Sequence, residues 1–213
     1  MPMSLPHRIH HEATNRHDAT VSRLKRVLDI GFSAAALILL LPLLLLVAAI
    51  IRLDSPGPAL FRQRRGGLYG KPFVILKFRT MRTLEDGDKI EQAVWRDPRV
   101  TRFGALLRHT CMDELPQFWN VLRGEMSIVG PRPHALAHDR SYDAALPDYT
   151  RRFAVKPGLT GLAQVRGYRG QIAGISAMAD RLACDLEYIR RWSFLLDLKL
   201  IVATMGLAIR VRA

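Results

Sequence analysis

IGFSAAALILLLPLLLLVAAII, residues Ile30 to Ile51, is a run of 22 residues without a charge. At about 1.5 Å per residue, a straight helix of this length reaches roughly 33 Å, enough to cross a bilayer. The run is too long for the apolar core of a cleaved signal peptide, and no small-residue cleavage site follows it. A single membrane helix is therefore expected. Pro42 lies near its middle, where it removes a backbone donor, crowds the preceding turn and predicts a kink. Arg23, Lys25 and Arg26 precede the run, and Arg52, Arg62, Arg64 and Arg65 follow it. Positive residues stay on the cytoplasmic side of a membrane. Two topologies follow: a span, or a re-entrant helix that enters and leaves by one face with two arms of about 11 residues, each too short to cross.

Working outward gives three regions: a tail over 1–22, the membrane helix over 23–53 and a cytoplasmic part over 54–213. The tail carries His7, His10, His11 and His17 among polar residues and prolines, a pattern of a disordered terminus rather than a metal tract. Cys111 and Cys184 have no CxxC spacing and no nearby histidine pair, so neither zinc nor a disulfide is expected, which fits a reducing, cytosol-facing compartment.

The chain of 213 residues carries 32 Lys and Arg against 19 Asp and Glu, a formal charge of +13. Such an excess points to an anionic partner. Between Arg52 and His109 there are 13 Lys or Arg and six Asp or Glu. This basic stretch directly follows the membrane segment, where it can meet lipid phosphates.

Asp54-Ser55-Pro56-Gly57-Pro58 reads as a turn, Phe73 to Phe78 as a short strand or extended segment, and Glu85 to Asp97 as a polar loop. Thr101 to Leu107 has a weak helical period. Asp113 to Leu122 reads as a helix, with Thr110 and Asp113 as its cap pattern and Gly124 as its stop. Ala177 to Arg191 is amphipathic, with Met178, Leu182, Leu186 and Ile189 on one face. Trp192 to Arg212 is apolar but holds Asp197 and Lys199. It should therefore lie on the membrane, pack on the first segment, or serve as a core helix rather than span.

The residues with a chemical use converge on Asp113-Glu114. The pair falls at the expected helix start, where free N–H groups favour carboxylates and phosphates. Arg108 precedes it, and Arg132 lies in Gly130-Pro131-Arg132-Pro133. A nearby cation keeps a carboxylate ionised. An ionised Asp can attack phosphorus, a divalent metal on a neighbouring carboxylate relieves the charge repulsion, and arginines grip phosphate oxygens. The phosphate loop GxxxxGK[ST] is missing, as are GxGxxG, HExxH, GxSxG and the CDP-alcohol motif DxxDGxxAR. The alternation of an RNA-binding sheet is missing too, so nucleic acid is not an expected partner.

Several ordered motifs now match a family. Asp113-Glu114-Leu115-Pro116-Gln117, Asn120 to Ser127 and Val129-Gly130-Pro131-Arg132-Pro133 resemble the bacterial sugar transferases, the monotopic polyprenyl-phosphate phosphoglycosyl transferases. Lys25-Arg26 with Asp29, Ser55 to Pro58, Lys77 to Met81, Lys156 to Gly161, and Asp185 with Tyr188 match as well, so the resemblance runs from about Lys25 to Thr204. It implies a small, mainly helical, α/β-like membrane-associated domain with a Pro42-kinked re-entrant helix and amphipathic interfacial helices. It places that domain on the cytoplasmic face of the bacterial inner membrane, among membrane lipids.

The implied activity moves a sugar-1-phosphate from a UDP-sugar to undecaprenyl phosphate, the first membrane step of exopolysaccharide or other glycoconjugate synthesis. Asp113 would be the nucleophile, Glu114 the ligand of Mg²⁺, and Asp185 an acid near the metal. Lys77, Arg79, Arg108, Arg132, Arg152, Pro157 and Gly158 would bind phosphate or substrate. The segment Pro131 to His138 resembles the glucose-1-phosphate branch. Leu41-Pro42 departs from the Ser-Pro pair of the smallest members, so no hydroxyl is available there to cap freed carbonyls. The reading of a different class is a non-enzymatic basic protein that docks on membranes. It needs only the charge, whereas the transferase needs Asp113.

Overall fold

The computed structural model describes residues 22–82, 94, 97–170 and 174–210. The histidine-bearing tail and most of the polar loop expected over Glu85 to Asp97 lie outside these residues. Helix dominates, and two small two-stranded sheets supply the strand content.

Helix α1 (Arg23–Asp54) is 32 residues long and remains helical through Pro42. Ser22 caps it, accepting from Lys25 N at 3.2 Å. Its only buried side chains are Lys25, Asp29 and Ser33 near one end and Val47 and Ile51 near the other, each set at helical spacing. Between them Ile38, Leu39, Leu41, Leu45 and Leu46 are exposed. Both ends pack on one globular body. At the first, Asp29 Oδ1 accepts from Ser127 Oγ at 3.0 Å and Ile128 N at 2.9 Å. At the second, Val47 and Ile51 pack with Phe78 and Leu107.

Strands β1 (Leu60–Gly66) and β2 (Pro72–Phe78) pair antiparallel, in register from Leu60 with Phe78 to Gly66 with Pro72. Helix α2 (Arg102–His109) starts at Thr101, whose hydroxyl accepts from Gly104 N at 2.9 Å. Helix α3 (Gln117–Leu122) ends where Gly124 adopts φ +80, as its glycine stop predicts. Strand β3 (Ser127–Val129) pairs parallel with β4 (Gly158–Thr160). Helix α4 (Leu136–Ala145) and a 3₁₀ turn over Tyr149–Ala154 lie between them, and the short α5 (Leu162–Val165) follows.

The amphipathic α6 (Gly174–Arg191) buries Met178 and Leu182, as its period predicts. Helix α7 (Phe194–Arg210) packs on the start of α1 through Asp197, which is 0% exposed and meets Lys25 Nζ at 2.6 Å. Its outer face shows Leu195, Leu198, Val202 and Met205. The main core, with Phe73, Ile75, Val121, Met126, Val129 and Tyr188, lies under β2, α3 and β3.

One expectation is corrected. Asp113 to Leu122 is not a single helix, and Thr110 does not cap its start. Helix α2 runs to His109, so Thr110 lies at a C-terminus and donates to Leu106 O at 2.9 Å. Cys111 then turns into the left-handed region at φ +57, Met112–Glu114 form one 3₁₀ turn, and α3 begins only after Pro116. A Thr-x-x-Asp pattern fits the end of one helix as well as the start of the next, and α2 takes the threonine.

Candidate active site

Two connections place the carboxylates. From α3, Asn120 accepts from Leu76 N at 3.0 Å and donates to Val74 O at 2.7 Å, which stitches the helix to the edge of β2. Asn120 is in turn held by Glu125 Oε2 at 2.7 Å. The 3₁₀ turn ahead of α3 is thereby set against Lys77, which comes from β2. Lys77 Nζ lies 2.6 Å from Glu114 Oε1.

Arg132 closes the other side, donating to Glu114 Oε2 at 3.1 Å and, through its second terminal nitrogen, to Oε1. This is the two-pronged geometry that guanidinium groups make with carboxylates. Arg108 completes the cationic wall, with Nε donating to Thr80 Oγ1 at 2.9 Å and its charge acting on Asp113.

The two carboxyls differ sharply. Burial acts to raise the pKa of Glu114, but Arg132 and Lys77 outweigh it and hold the group well below the usual carboxylate range. Asp113 is 9% exposed, and among the described residues its carboxyl accepts no hydrogen bond. Burial pushes its pKa up; Lys77 and Arg132 pull against that, while Glu114 adds to it. Glu114 is thus a clamped, permanent anion, and Asp113 is a desolvated carboxyl whose oxygens meet no hydrogen-bond donor among the described residues. Cys111 lies at the surface, and partial burial with the Glu114 and Asp113 charges beside it pushes its thiol up, so it does not compete as a thiolate nucleophile. The electrostatics of the pair come from these side chains, since a single 3₁₀ turn supplies no helix dipole of note.

Arg132 owes its position to an unusual backbone. Pro131 and Pro133 have no N–H, so the loop is held by its carbonyls. Gly158 N donates to Pro131 O at 2.9 Å, Arg152 to Arg132 O at 2.7 Å, Arg65 to Pro133 O at 3.0 Å and Gly66 N to His134 O at 3.4 Å. Four successive carbonyls are anchored by β4, the 3₁₀ turn and β1. A side chain at Gly158 would place a Cβ 2.1 Å from Gly130 N, so only glycine allows β4 to lie this close.

The other expected site residues sit elsewhere. Arg79 is 4% exposed and donates to Pro56 O at 2.8 Å, Ile51 O at 3.2 Å and both oxygens of Ser55, so it fastens the end of α1 rather than facing substrate. All five N–H groups of Arg152 are engaged by Asp185, Arg132 O, His134 and Tyr149, which leaves none for a phosphate. Asp185 is 2% exposed and bonded to Arg152, not open to a metal beside Glu114. Pro157 and Gly158 shape the loop from behind, Pro157 O accepting from Ser127 N at 2.9 Å. Linear motifs group these residues with the site because they build its walls; burial separates them from its surface.

The model of the family described as bacterial sugar transferase matches residues 20–211. The chain belongs to that family. A relative in Caulobacter vibrioides, named UDP-glucose:undecaprenyl-phosphate glucose-1-phosphate transferase, is 56% identical over 181 residues, which cover 85% of this chain and 68% of that protein. A protein of the same name in Escherichia coli K12 is 48% identical over 182 residues, but these are only 39% of its length. The exopolysaccharide production protein PSS of Rhizobium leguminosarum bv. phaseoli is 48% identical, with 93% of its length covered.

In this family member the sequence reading leaves three working parts unassigned. Asn120 falls inside a quoted motif, yet its role as the stitch to β2 appears only in three dimensions. Thr80 orients Arg108. His134 and Tyr149, 2.8 Å apart, form the floor under Arg152. A polar residue at a position that the helical period would bury, as at Asn120, is the one sequence signal that could have exposed such a part.

Proposed function

We propose that this chain transfers glucose-1-phosphate from UDP-glucose to undecaprenyl phosphate and releases UMP. The observation that carries this reading is the division of labour at Asp113-Glu114: one buried carboxyl with no hydrogen-bond donor among the described residues, one carboxylate clamped by Lys77 and Arg132. A nucleophile toward phosphorus needs the first, and a cationic cradle for a diphosphate needs the groups around the second. An Asp113 oxygen attacks the phosphorus that bears glucose. The bond from that phosphorus to the oxygen it shares with the uridine-bearing phosphate breaks, and the oxygen leaves on UMP. Lys77, Arg108 and Arg132 take up charge on the phosphate oxygens. A phosphate oxygen of undecaprenyl phosphate then attacks the same phosphorus, frees the Asp113 carboxylate and carries off the phosphosugar as a diphosphate.

The donor set suits a divalent ion of the magnesium type, which uses one or two carboxylates with phosphate oxygens and water. Glu114 is ionised and its side chain is 19% exposed. Bound there, Mg²⁺ would neutralise phosphate charge. Among the described residues no cluster of three or more His, Cys, Asp or Glu stands ready for a metal, which favours an ion shared with substrate over a caged one.

The same proposal makes α1 re-entrant, with the body on the cytoplasmic face of the inner membrane. Support comes from positive residues on both flanks, from an apolar exposed middle, and from the packing of both ends on one body. A spanning helix would put those ends on opposite sides of the membrane.

Two experiments test this. The purified chain incubated with UDP-glucose and Mg²⁺ but no acceptor should gain the mass of one phosphohexose, and Asp113→Asn should not. Normal UMP release by Asp113→Asn, or release with every UDP-sugar of a panel except UDP-glucose, overturns the mechanism or the donor. For topology, Arg23→Cys and Pro58→Cys, each with Cys111 replaced by serine, should both be labelled from the cytoplasm alone. Labelling of either from the periplasm means a span.

A further inference from the structure

Arg152 and Asp185 make a buried ion pair at 2.9 Å, each 2% exposed. Burying two charges costs several kcal/mol of solvation, and an apolar pair of similar volume often stabilises a fold as well or better. The location of the pair gives it a use. Arg152 Nη2 bonds Asp185 on one side and the carbonyl of Arg132 on the other. Arg132 is the residue whose guanidinium clamps Glu114. Asp185 on α6, Arg152 on the 3₁₀ turn, the Arg132 backbone and the Arg132 side chain therefore form one continuous line that ends at the catalytic pair.

The rest of the Arg152 fork is fixed as firmly. Nη1 points to His134 Nδ1 at 3.0 Å and Tyr149 OH at 3.2 Å, and Tyr149 donates to Asp139 at 2.6 Å. Asp185 Oδ2 also receives Nε at 3.2 Å. With every donor engaged, the guanidinium plane has a single orientation. Between two prolines, the Arg132 peptide carbonyl is the point through which that orientation reaches the loop. Lysine could supply the charge but not the planar fork.

We infer that Arg152, oriented by Asp185, is a positioning residue that sets the Arg132 guanidinium on Glu114 through the Arg132 carbonyl. The inference rests on the reading of Asp113-Glu114 as the site of phosphoryl transfer. It gives Arg152 and Asp185 roles that involve neither phosphate nor metal.

A double-mutant cycle separates this role from a merely structural one, because residues that act through one another are non-additive. UMP release from UDP-glucose would be measured for the full chain in detergent, alongside melting temperature, for Arg132→Met, Arg152→Lys, Asp185→Asn and the doubles with Arg132→Met. The expected outcome is a loss of about 100-fold for Arg132→Met and about 10-fold for Arg152→Lys and for Asp185→Asn, mainly in kcat. The doubles should be no slower than Arg132→Met alone. Losses that multiply in the doubles, or an Arg152→Lys rate within twofold of the parent, overturn the inference. Should Arg152→Lys fail to fold, the isosteric Asp185→Asn carries the same comparison. Asp113→Asn in the same series keeps the two readings apart. If it is active, the transfer mechanism is wrong; if it is inactive while the losses multiply, only the positioning role is wrong.

Discussion

At Asp113, stability and reactivity pull in opposite directions. Burial raises the pKa of this carboxyl, so its folded-state value lies above its unfolded one. The sign follows: the folded protein binds this proton more tightly, so the contribution to stability is favourable in acid and is lost as pH rises through the folded pKa. At neutral pH the ionised carboxylate is a net cost. Asp113→Asn should therefore abolish UMP release yet melt higher than the parent at pH 7 and not at pH 4, a comparison that thermal scans in detergent can make. The rate of phosphosugar transfer to the enzyme should fall on the acid side with a midpoint above that of an ordinary aspartate, because only the ionised form attacks. Glu114, held low, should contribute no limb in that range. The grouping of Asp113, Glu114, Lys77, Arg108 and Arg132 was legible in the sequence, since their charges and their motifs agree, and the structure brings them together. The places of Arg79, Arg152 and Asp185 were not. A charged side chain in a motif looks the same in one dimension whether it faces a ligand or lies beneath the residue that does.

Elements were legible where a pattern repeats. The apolar run of α1, the strand at Phe73 to Phe78 and the period of α6 each depend on several residues, and each appears. The start of α3 depended on a two-residue cap signature, which the C-terminus of α2 claimed. Tertiary hydrogen bonds at element ends were invisible, and two of them carry predictions. Arg79→Leu removes the charged donor from Ser55 O and Pro56 O, just past the end of α1, and leaves Ile51 O with Ser55 N alone. The loss of stability should be about 3 kcal/mol by chemical denaturation, from several charge-assisted bonds at once. Asn120→Leu cuts the stitch between α3 and β2 and should cost about 2 kcal/mol by the same measure. It should also lower kcat, because the turn bearing Asp113 is no longer pinned opposite Lys77.

Across the whole molecule, one buried ion pair joins the beginning of the long apolar helix α1 to the last described helix, α7. Lys25 Nζ meets Asp197 at 2.6 Å, with Val129 O at 2.9 Å as a further acceptor, and Tyr188 and Trp192 also bond Asp197. Removal of one partner from such a pair leaves an uncompensated buried charge and costs about 3–5 kcal/mol. Asp197→Leu should therefore lower the melting temperature far more than Lys25→Met combined with Asp197→Leu, which removes both charges. The sequence showed Asp197 only as an obstacle to spanning. That it faces Lys25, 172 residues away, depends on the whole fold.

That separation also sets an order of events during synthesis. Lys25 and Asp29 leave the ribosome with α1, whereas their partners at Ser127, Ile128 and Asp197 follow much later. At about 5–20 residues per second, Asp197 emerges roughly 10–30 s after Lys25. Until then Lys25 and Asp29, one turn apart on the same helix face, have only each other and their surroundings as partners. The packing of that end of α1 on Ser127, Ile128 and Asp197 is therefore among the last contacts the fold can make.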